Sequence, residues 1–323
     1  MRVLSREGYA LQTIDAAGLQ GRGFRGKIQG LAAVPRSLWQ SRGILRSFQP
    51  DVVIGVGGYA SGPVVLAAWF LGVKTAIHEQ NAFPGLSNRI LGRVVDRIFI
   101  SFADSGRHFP PSRTVLTGNP VRRRIRQAPP GPQSGGESPQ RTSPFTLFVF
   151  GGSQGAHRLN EAMVEALEQL GDPQGGWRII HQTGEKDFPR VKAAYAERGL
   201  TAEVEPFIDD MDRAYRAADL VICRAGATTI FELLATGKPA ILVPYPFAAN
   251  DHQTMNARTL VAAGAAQMIA DAELNGERLA GIVRQLSGDS ARLREMGKKA
   301  AALAKPEAAR QIVNLCYAMV KNE

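Results

Sequence analysis

The sequence predicts an α/β fold of two doubly wound, Rossmann-like domains that face a cleft. Strand-like apolar runs alternate with helical patterns through most of the 323 residues, which is typical of parallel sheets built from βα units. Several runs end in glycine-rich turns, at the edge where open α/β sheets bind their ligands. The alternation breaks at residues 127–143, where Pro, Gly, Ser and Gln predict an exposed linker or insertion.

These observations predict the organisation of the chain. A first domain is expected over residues 1–126, a linker or insertion over 127–144, and a second domain over 145–305. Strong helix formers over Ala291–Lys305 lead to a break at Pro306, and a last helix is expected over Ala308–Met319. This C-terminal segment, residues 306–323, is expected to complete the first domain.

Apolar runs bounded by turn residues predict the strands. Those of the first domain are Leu11–Ile14, Val52–Gly55, Thr75–His78, Ile98–Ser101 and Thr114–Leu116. Those of the second domain are Phe145–Phe150, Arg178–His181, Glu203–Phe207, Leu220–Cys223, Ala240–Val243 and Gln267–Ile269. A helix-like segment generally follows each run, so the strands within each domain are expected to lie parallel.

Composition excludes several classes of protein. Hydrophobic residues make up 44% of the chain and charged residues 21%, a balance typical of globular rather than disordered proteins. The longest apolar runs, such as Val64–Val73, fall well short of the ~20 residues of a membrane-spanning helix. The two cysteines, Cys223 and Cys316, indicate neither a disulfide framework nor a zinc site, and no secretory signal is evident. The chain is therefore expected in the cytoplasm.

The net charge of +10 is concentrated near the N-terminus, where residues 1–50 carry eight Arg and Lys against two acidic residues. Apolar residues interleave with these cations over Leu31–Phe48. One interpretation is an amphipathic helix that lies on an anionic lipid surface, with Arg36, Arg42 and Arg46 meeting headgroups. The other is a helix whose apolar stripe packs on a sheet. No RNA- or DNA-binding motif accompanies the charge, so no nucleic acid partner is expected.

The segment Cys223–Glu232 carries the clearest chemical signal. Its sequence, CRAGATTIFE, passes from a strand through a small-residue turn into a helix. Backbone N–H groups at such a helix start lack partners and favour a diphosphate. Glu232, about two turns further on, can accept hydrogen bonds from a ribose diol. The alternative is an ordinary turn with Glu232 on a solvated face.

A second strand–turn–helix junction, FGGSQGA, spans Phe150–Ala156, where Ser153 can donate its hydroxyl to phosphate oxygens. The next strand ends in His181–Gly184, without the acidic residue of a dinucleotide site, so hydride transfer is disfavoured. After the strand Glu203–Phe207, a flat base could bond the backbone of Ile208, or Asp209 could simply cap the helix.

The first half offers a glycine-rich turn over Val56–Pro63 that could admit an acceptor diphosphate. Two further motifs, HEQN over His78–Asn81 and GNPVR over Gly118–Arg122, end strands of the same half. Together with FGGSQGA, FIDDM, CRAGATTIFE and DHQTMNA, they resemble the MurG family of peptidoglycan glycosyltransferases. The resemblance runs from about Gly8 to the C-terminus, with all six motifs in order.

The resemblance implies an inverting glycosyltransferase of the GT-B type. Its donor is UDP-N-acetylglucosamine, and its acceptor is undecaprenyl-pyrophosphoryl-muramyl-pentapeptide, lipid I, which becomes lipid II. It implies a membrane-associated acceptor domain first and a donor domain second, bound peripherally at the cytoplasmic face of the cell membrane. No metal or other cofactor is expected, because helix dipoles and backbone donors would stabilise the leaving nucleotide.

The resemblance also implies the substrate-binding residues. Ser153 would contact the diphosphate, Ile208 the uracil, Glu232 the ribose and Gln253 the sugar hydroxyls. His252, beside Gln253, is interpreted as a cleft-lining or capping residue. Asn81 and Arg122 would reach the donor from the first domain. The helix start contributes the remaining residues, Ala227, Thr228, Thr229, Ile230 and Phe231.

The chain departs from the family at its start. The family's Gly-Gly-Thr-Gly-Gly-His loop, whose histidine is the expected base, has no counterpart here, so the first domain is expected to be N-terminally truncated and the catalytic residue stays unassigned. His78 and His252 are the first residues to test as a replacement base. Two alternatives remain open: a UDP-N-acetylglucosamine-using enzyme with another acceptor or an epimerase, and a donor-binding protein without activity.

Overall fold

The computed structural model describes residues 8–15, 24–126, 144–170, 176–199 and 202–321, with side chains in the first helix from Val34 onward. The chain is an α/β protein with two parallel sheets. It divides into two compact units, Met1–Gly118 with Arg310–Glu323, and Asn119–Ala309. The predicted linker, apart from Pro144, and the basic residues before Val34 lie outside the described backbone or side chains.

The first unit holds a four-stranded parallel sheet in the order β1-β2-β3-β4. The strands are β1 Val52–Gly55, β2 Lys74–Glu79, β3 Arg97–Ile100 and β4 Thr114–Leu116. The helices are α1 Phe24–Phe48, α2 Gly58–Phe70 and α3 Leu86–Leu91, with 3₁₀ turns at Ala103–His108 and Pro111–Arg113. Four of the five predicted strands are thus confirmed to within a residue.

The predicted strand Leu11–Ile14 is wrong. Residues 8–15 form no strand, and Tyr9 and Leu11 are exposed. The end of the segment is held by helix α1 instead, because Asp15 accepts a hydrogen bond from Gln40 Nε2 at 3.0 Å and pairs with Arg36 at 3.0 Å. An apolar run becomes a strand only where a neighbouring backbone pairs with it.

Helix α1 uses one face for packing and leaves the other exposed. Leu45 is buried and Leu38 partly buried in the core of the first unit, against α2 and the sheet. Trp39 is 77% exposed, and Phe48 is also exposed. Both interpretations of this segment therefore keep support: its inner face packs, and its outer face presents aromatic side chains among arginines. No helix in the described part of the chain has the length and hydropathy to cross a membrane.

The second unit holds a six-stranded parallel sheet in the order β10-β9-β8-β5-β6-β7. Its strands are β5 Phe145–Phe150, β6 Trp177–Gln182, β7 Ala202–Glu205, β8 Leu220–Cys223, β9 Ala240–Leu242 and β10 Ala266–Met268. All six predicted strands of this half are confirmed, two with the predicted ends and four with ends that shift by one or two residues. Every residue of β5 is buried, which fits its place in the middle of the sheet.

Helices cover the second sheet. They are α4 Arg123–Arg126, α5 His157–Ala166, α6 Phe188–Glu197, α7 Met211–Ala217, α8 Ala227–Thr236, α9 His252–Ala262, α10 Gly276–Ser287 and α11 Ser290–Ala302, with 3₁₀ turns at Ala249–Asp251 and Asp271–Glu273. The last helix, α12 Ala308–Lys321, returns to the first unit, where Ile312 and Met319 pack with Ala76 and Phe99 of the first sheet.

Candidate active site

The strand order of the second sheet indicates where a ligand-binding crevice lies. Strand β5 pairs with β6 on one side and with β8 on the other. The chain therefore leaves β5 and β8 in opposite directions, and a crevice opens at the carboxyl ends of these two strands. The two motifs that the sequence indicated as diphosphate sites, FGGSQGA and CRAGATTIFE, follow β5 and β8 respectively. The fold thus brings both of them to one edge of the sheet.

Helix α8 presents an uncapped N-terminus at this edge. Its N-cap residue, Gly226, is in an extended conformation and makes no side-chain cap hydrogen bond. The helix is ten residues long and is followed by Gly237 in the left-handed conformation. The partial positive charge of the helix dipole and the first N–H groups therefore face the crevice without a capping side chain.

The turn after β5 requires glycine for close packing. Gly155 has a φ of +74°, and a Cβ atom there would overlap the carbonyl of Thr183. Gln182 braces the turn by donating from Nε2 to the carbonyl of Gly152 at 2.9 Å. Ser153, the predicted diphosphate ligand, is exposed at the tip of this turn.

Gln182 also reaches the predicted uracil site. Its Oε1 accepts a hydrogen bond from the backbone N–H of Ile208 at 2.9 Å. A base that binds at Ile208 would therefore meet the carbonyl oxygen, since the N–H is already used. The residue that caps helix α7 is Asp210, whose carboxylate accepts from Arg213 N at 3.1 Å, so the alternative of a cap at Asp209 is wrong by one residue.

Glu232 is buried, with only 2% of its surface exposed, so the solvated-face alternative is wrong. Its Oε1 accepts hydrogen bonds from Arg122 Nε at 3.2 Å and Arg122 Nη2 at 3.0 Å. Its Oε2 accepts from the Tyr215 hydroxyl at 3.0 Å. Burial, and next the Glu232 charge, raise the pKa of Tyr215 well above its usual value, so this hydroxyl keeps its proton.

Gln253 joins the turns after β8 and β9. Its Oε1 accepts from Ala225 N at 3.2 Å and from Tyr245 N at 3.0 Å. This engagement turns the side-chain carbonyl toward the backbone and leaves the NH₂ group as the part suited to a sugar hydroxyl. His252 Nδ1 lies 2.8 Å from the carbonyl of Ala249, in the turn that precedes α9. This contact is local, as expected for a residue that stabilises the start of the helix.

Asn81 lies in the first unit, after β2. The buried carboxylate of Glu79 accepts from Asn81 N at 3.0 Å and from Asn81 Nδ2 at 3.3 Å. It also accepts from Asn88 Nδ2 at 2.8 Å, so one carboxylate fixes the loop after this strand. The predicted contact of Asn81 with the donor stays a prediction.

His78 is buried and engaged. Its Nε2 lies 3.1 Å from the carbonyl of Gly118 and 3.2 Å from Ser101 Oγ. Burial lowers the pKa of His78 below its usual value, although the Gly118 carbonyl opposes that shift. Because the side chain is buried and its Nε2 is already engaged by the residues that follow β3 and β4, the structure disfavours it as a replacement base.

The sequence analysis did not identify the residues that hold the predicted substrate-binding residues in position. Gln182 lies within the segment His181–Gly184, and Tyr215 lies four residues after the FIDDM motif. Neither residue belongs to a sequence pattern that would predict its hydrogen-bond partner. Arg224 is another, since its Nη1 pairs with Asp271 Oδ1 at 2.6 Å and donates to the carbonyl of Pro244 at 3.1 Å. A polar residue at the carboxyl end of a buried strand was the signal available for Gln182 and Arg224.

Comparison with known proteins agrees with this geometry. The model of the glycosyltransferase family 28 C-terminal domain matches residues 146–312, and that of the N-terminal domain matches residues 1–100. A Geobacter sulfurreducens protein is 49% identical over 323 residues, which cover 100% of this chain and 88% of the relative. A Myxococcus xanthus protein is 48% identical over 98% of this chain and 81% of its own length. Both are named UDP-N-acetylglucosamine–N-acetylmuramyl-(pentapeptide) pyrophosphoryl-undecaprenol N-acetylglucosamine transferase.

Solved structures give the same result for the fold. The crystal structure of Acinetobacter baumannii MurG superposes with a TM-score of 0.75 at 35% identity, and covers 98% of this chain and 86% of its own. A UDP-GlcNAc 2-epimerase from Neisseria meningitidis, bound to UDP-GlcNAc, superposes with a TM-score of 0.63 at 12% identity, over 97% of this chain and 87% of its own. The second likeness shows a shared fold only.

Proposed function

The chain belongs to glycosyltransferase family 28, and from that membership we propose that it transfers N-acetylglucosamine from UDP-N-acetylglucosamine to undecaprenyl-pyrophosphoryl-muramyl-pentapeptide. The observation that carries the proposal is the near-complete match, at 48–49% identity, to relatives named for this reaction. The geometry of the second unit supports it independently, because an uncapped helix start and a buried carboxylate lie beside the β5–β8 crevice.

The donor would lie along the carboxyl edge of the second sheet. Its diphosphate would meet the N–H groups that begin α8 and the exposed hydroxyl of Ser153. Its uracil would bond the carbonyl of Ile208, and the NH₂ group of Gln253 would donate to the sugar. Negative charge that develops on the leaving diphosphate would be stabilised by the helix dipole, a preorganised effect that needs no reorganisation during the reaction.

The ribose would require a rearrangement at Glu232. A carboxylate offers about four lone-pair positions, and in this structure Arg122 uses Oε1 while Tyr215 uses Oε2. The Arg122 side chain is 59% exposed, so it can leave without disturbing a core. We expect the ribose diol to take over Oε1 and the freed guanidinium to pair with the donor diphosphate, which it can contact bidentately.

The acceptor would bind the first unit. A cavity of about 560 Å³ lies at the carboxyl ends of β1 and β2, lined by the glycine-rich turn and by Leu66, Leu86 and Ile90. Helix α2 begins in this cavity after Gly57, which has a φ of +84° and provides no side-chain cap. An acceptor diphosphate would meet these N–H groups, with its lipid chain against the apolar lining.

The exposed face of α1 would hold the protein on its substrate membrane. Trp39 and Phe48 project from this helix, and Arg36, Arg42 and Arg46 are exposed on it. Aromatic side chains in the headgroup region and cations against anionic lipid together favour peripheral binding. We place this surface at the cytoplasmic face of the membrane, as the resemblance of the sequence motifs to the MurG family implies.

The experiment is a measurement of UDP release from UDP-N-acetylglucosamine with and without the lipid-linked muramyl-pentapeptide in mixed micelles. The proposal predicts UDP release only when the acceptor is present, together with a glycosylated lipid product. Formation of an epimer of the donor without acceptor would favour the epimerase alternative. Donor binding without either reaction would favour a binding protein.

A further inference from the structure

The first unit contains a second cavity, of about 600 Å³, at the opposite edge of its sheet from the glycine-rich turn. Its lining includes Trp69, Lys74, Asp96, Arg97 and Arg113, with Met319 of helix α12 on one wall. The proposed acceptor and donor contacts all lie at the carboxyl ends of strands. This cavity lies at the amino ends, so it has no part in the transfer site.

Three cations reach the cavity from adjacent strands. Lys74 is the first residue of β2, Arg97 is the first residue of β3, and Arg113 directly precedes β4. The three strands are neighbours in the sheet, and neighbouring strands lie about 4.7–4.9 Å apart. All three side chains are half-buried. Like charges that are close together and partly removed from water repel one another unless an anion compensates them.

In the described part of the chain, carboxylates do not pair with these three cations. Among the described residues, no acidic side chain forms an ion pair with Lys74, Arg97 or Arg113 within 4.0 Å. Asp96 is the one carboxylate of the lining residues named above, and its Oδ2 accepts from Thr75 N at 2.8 Å and from Thr75 Oγ1 at 3.1 Å. Within the described lining, the three cations thus face one carboxylate, which is already bonded to Thr75 of β2.

Backbone carbonyls hold the two arginines in position. Arg113 Nη1 donates to the carbonyl of Val95 at 3.0 Å and to that of Arg93 at 3.4 Å. Arg97 Nη1 donates to the carbonyl of Asp96 at 3.4 Å. Neutral carbonyls orient a guanidinium without neutralising it, and the remaining N–H groups of each fork stay available to an anion.

We propose that this cavity binds a phosphate group. Two oriented guanidinium groups and an ammonium match the several acceptor oxygens of a phosphoryl group better than a single carboxylate. The volume is within the range of small-molecule sites and exceeds that of an inorganic ion. Trp69, which is 43% exposed, and Met319 provide an apolar wall for the organic part of a phosphorylated ligand. A free phosphate compound and the headgroup of an anionic phospholipid share this chemistry.

The test is calorimetric titration of the full chain with pyrophosphate, in saturating UDP so that the proposed donor site is filled. The double variant Lys74→Gln, Arg97→Gln removes two cations and leaves Arg113 with its carbonyl partners. We expect at least about a tenfold loss of pyrophosphate affinity, the equivalent of one charge-assisted hydrogen bond. The matched control is Arg292→Gln, Lys298→Gln, which removes two exposed cations of α11 and should change nothing.

A vesicle assay identifies the source of the phosphate. Phosphatidylglycerol vesicles should bind the wild type more tightly than the double variant, and pyrophosphate should compete, if the ligand is a headgroup. Vesicle binding equal in both proteins, with pyrophosphate binding lost in the variant, would assign a free phosphate compound. The proposal is overturned if neither probe distinguishes the double variant from the control while thermal unfolding shows that all three proteins are folded.

Discussion

The guanidinium of Arg122 forms an ion pair with the carboxylate of Glu232. Arg122 Nη2 lies 3.0 Å from Glu232 Oε1, and the Tyr215 hydroxyl lies 3.0 Å from Glu232 Oε2. The sequence predicted that both charged residues contact the nucleotide-sugar donor. The structure brings the two into contact with each other inside the second unit. An isolated buried carboxylate would be costly, so Arg122 stabilises Glu232 where we propose that the ribose diol binds.

Removal of the Tyr215 hydroxyl tests how Glu232 is held. In Tyr215→Phe the ring keeps its edge-to-face contact with Phe148, whose centroid is 5.4 Å away, while Oε2 loses its donor. We expect the free energy of unfolding to fall by about 1.5–3 kcal/mol, as for a hydrogen bond to a charged group. The ratio of UDP affinity to 2′-deoxy-UDP affinity should also fall. A loss of stability by itself would not change this ratio. Urea unfolding and calorimetry measure the two effects, and an unaltered preference would contradict the assignment.

Removal of Arg122 tests the proposed exchange. In Arg122→Ala the ribose no longer displaces a guanidinium, while the diphosphate loses a cation. We expect the ratio of UDP affinity to uridine affinity to fall by about tenfold, the loss of a charge-assisted contact to the phosphates. Titration with both ligands gives the ratio. The same ratio in variant and wild type would mean that Arg122 never reaches the diphosphate.

Alanine variants at two glycines of the turn after β5 distinguish the cost of steric overlap from the cost of backbone strain. Gly155→Ala combines a φ of +74° with overlap of the Thr183 carbonyl, and should cost more than about 3 kcal/mol of unfolding free energy. Gly152→Ala has a φ of +94° and open space for Cβ, and should cost only about 1–2 kcal/mol. Urea unfolding of both variants is the measurement. Equal losses would show that the turn relaxes and that close packing does not require Gly155.

Acidification should destabilise the second unit through His181. Burial lowers the pKa of His181 to about 3. Tyr195 and Asn160 bond its two ring nitrogens at 2.9 and 3.0 Å. Because the folded pKa lies below the usual 6.5, the unfolded chain binds more protons between these values, and stability falls as the pH falls from 6.5.

The expected slope from this residue is up to about 1.4 kcal/mol per pH unit. It should be visible above about pH 4.5, before most carboxylates protonate. The variant His181→Gln can still form hydrogen bonds but does not titrate, so its unfolding free energy should lose this part of the slope. His78, whose pKa is also lowered, leaves a residual slope in both proteins. Parallel slopes for wild type and variant would contradict the account.

The sequence predicted most strands because each is a buried apolar run that ends at a turn residue, a pattern that local chemistry determines. It failed at Leu11–Ile14, where strand propensity had no backbone partner. It placed Ser153, Ile208 and Glu232 at one edge, because carboxyl ends of parallel strands share an edge. The contact of Glu232 with Tyr215 and Arg122 could not be predicted, because it depends on how α8 packs beside α7 and the segment after Gly118.

The most direct test of the donor site is calorimetric titration of UDP-N-acetylglucosamine into the wild type, Glu232→Gln and the control Glu197→Gln, which changes an exposed carboxylate of α6. Glutamine keeps the shape of Glu232, but an NH₂ donor replaces one of its two acceptor oxygens and the other becomes a neutral carbonyl. The account predicts affinity at least about tenfold weaker in Glu232→Gln, from one or two hydrogen bonds of about 1.5–3 kcal/mol each, and no change in the control. Equal affinity in all three proteins would contradict a donor site built on Glu232.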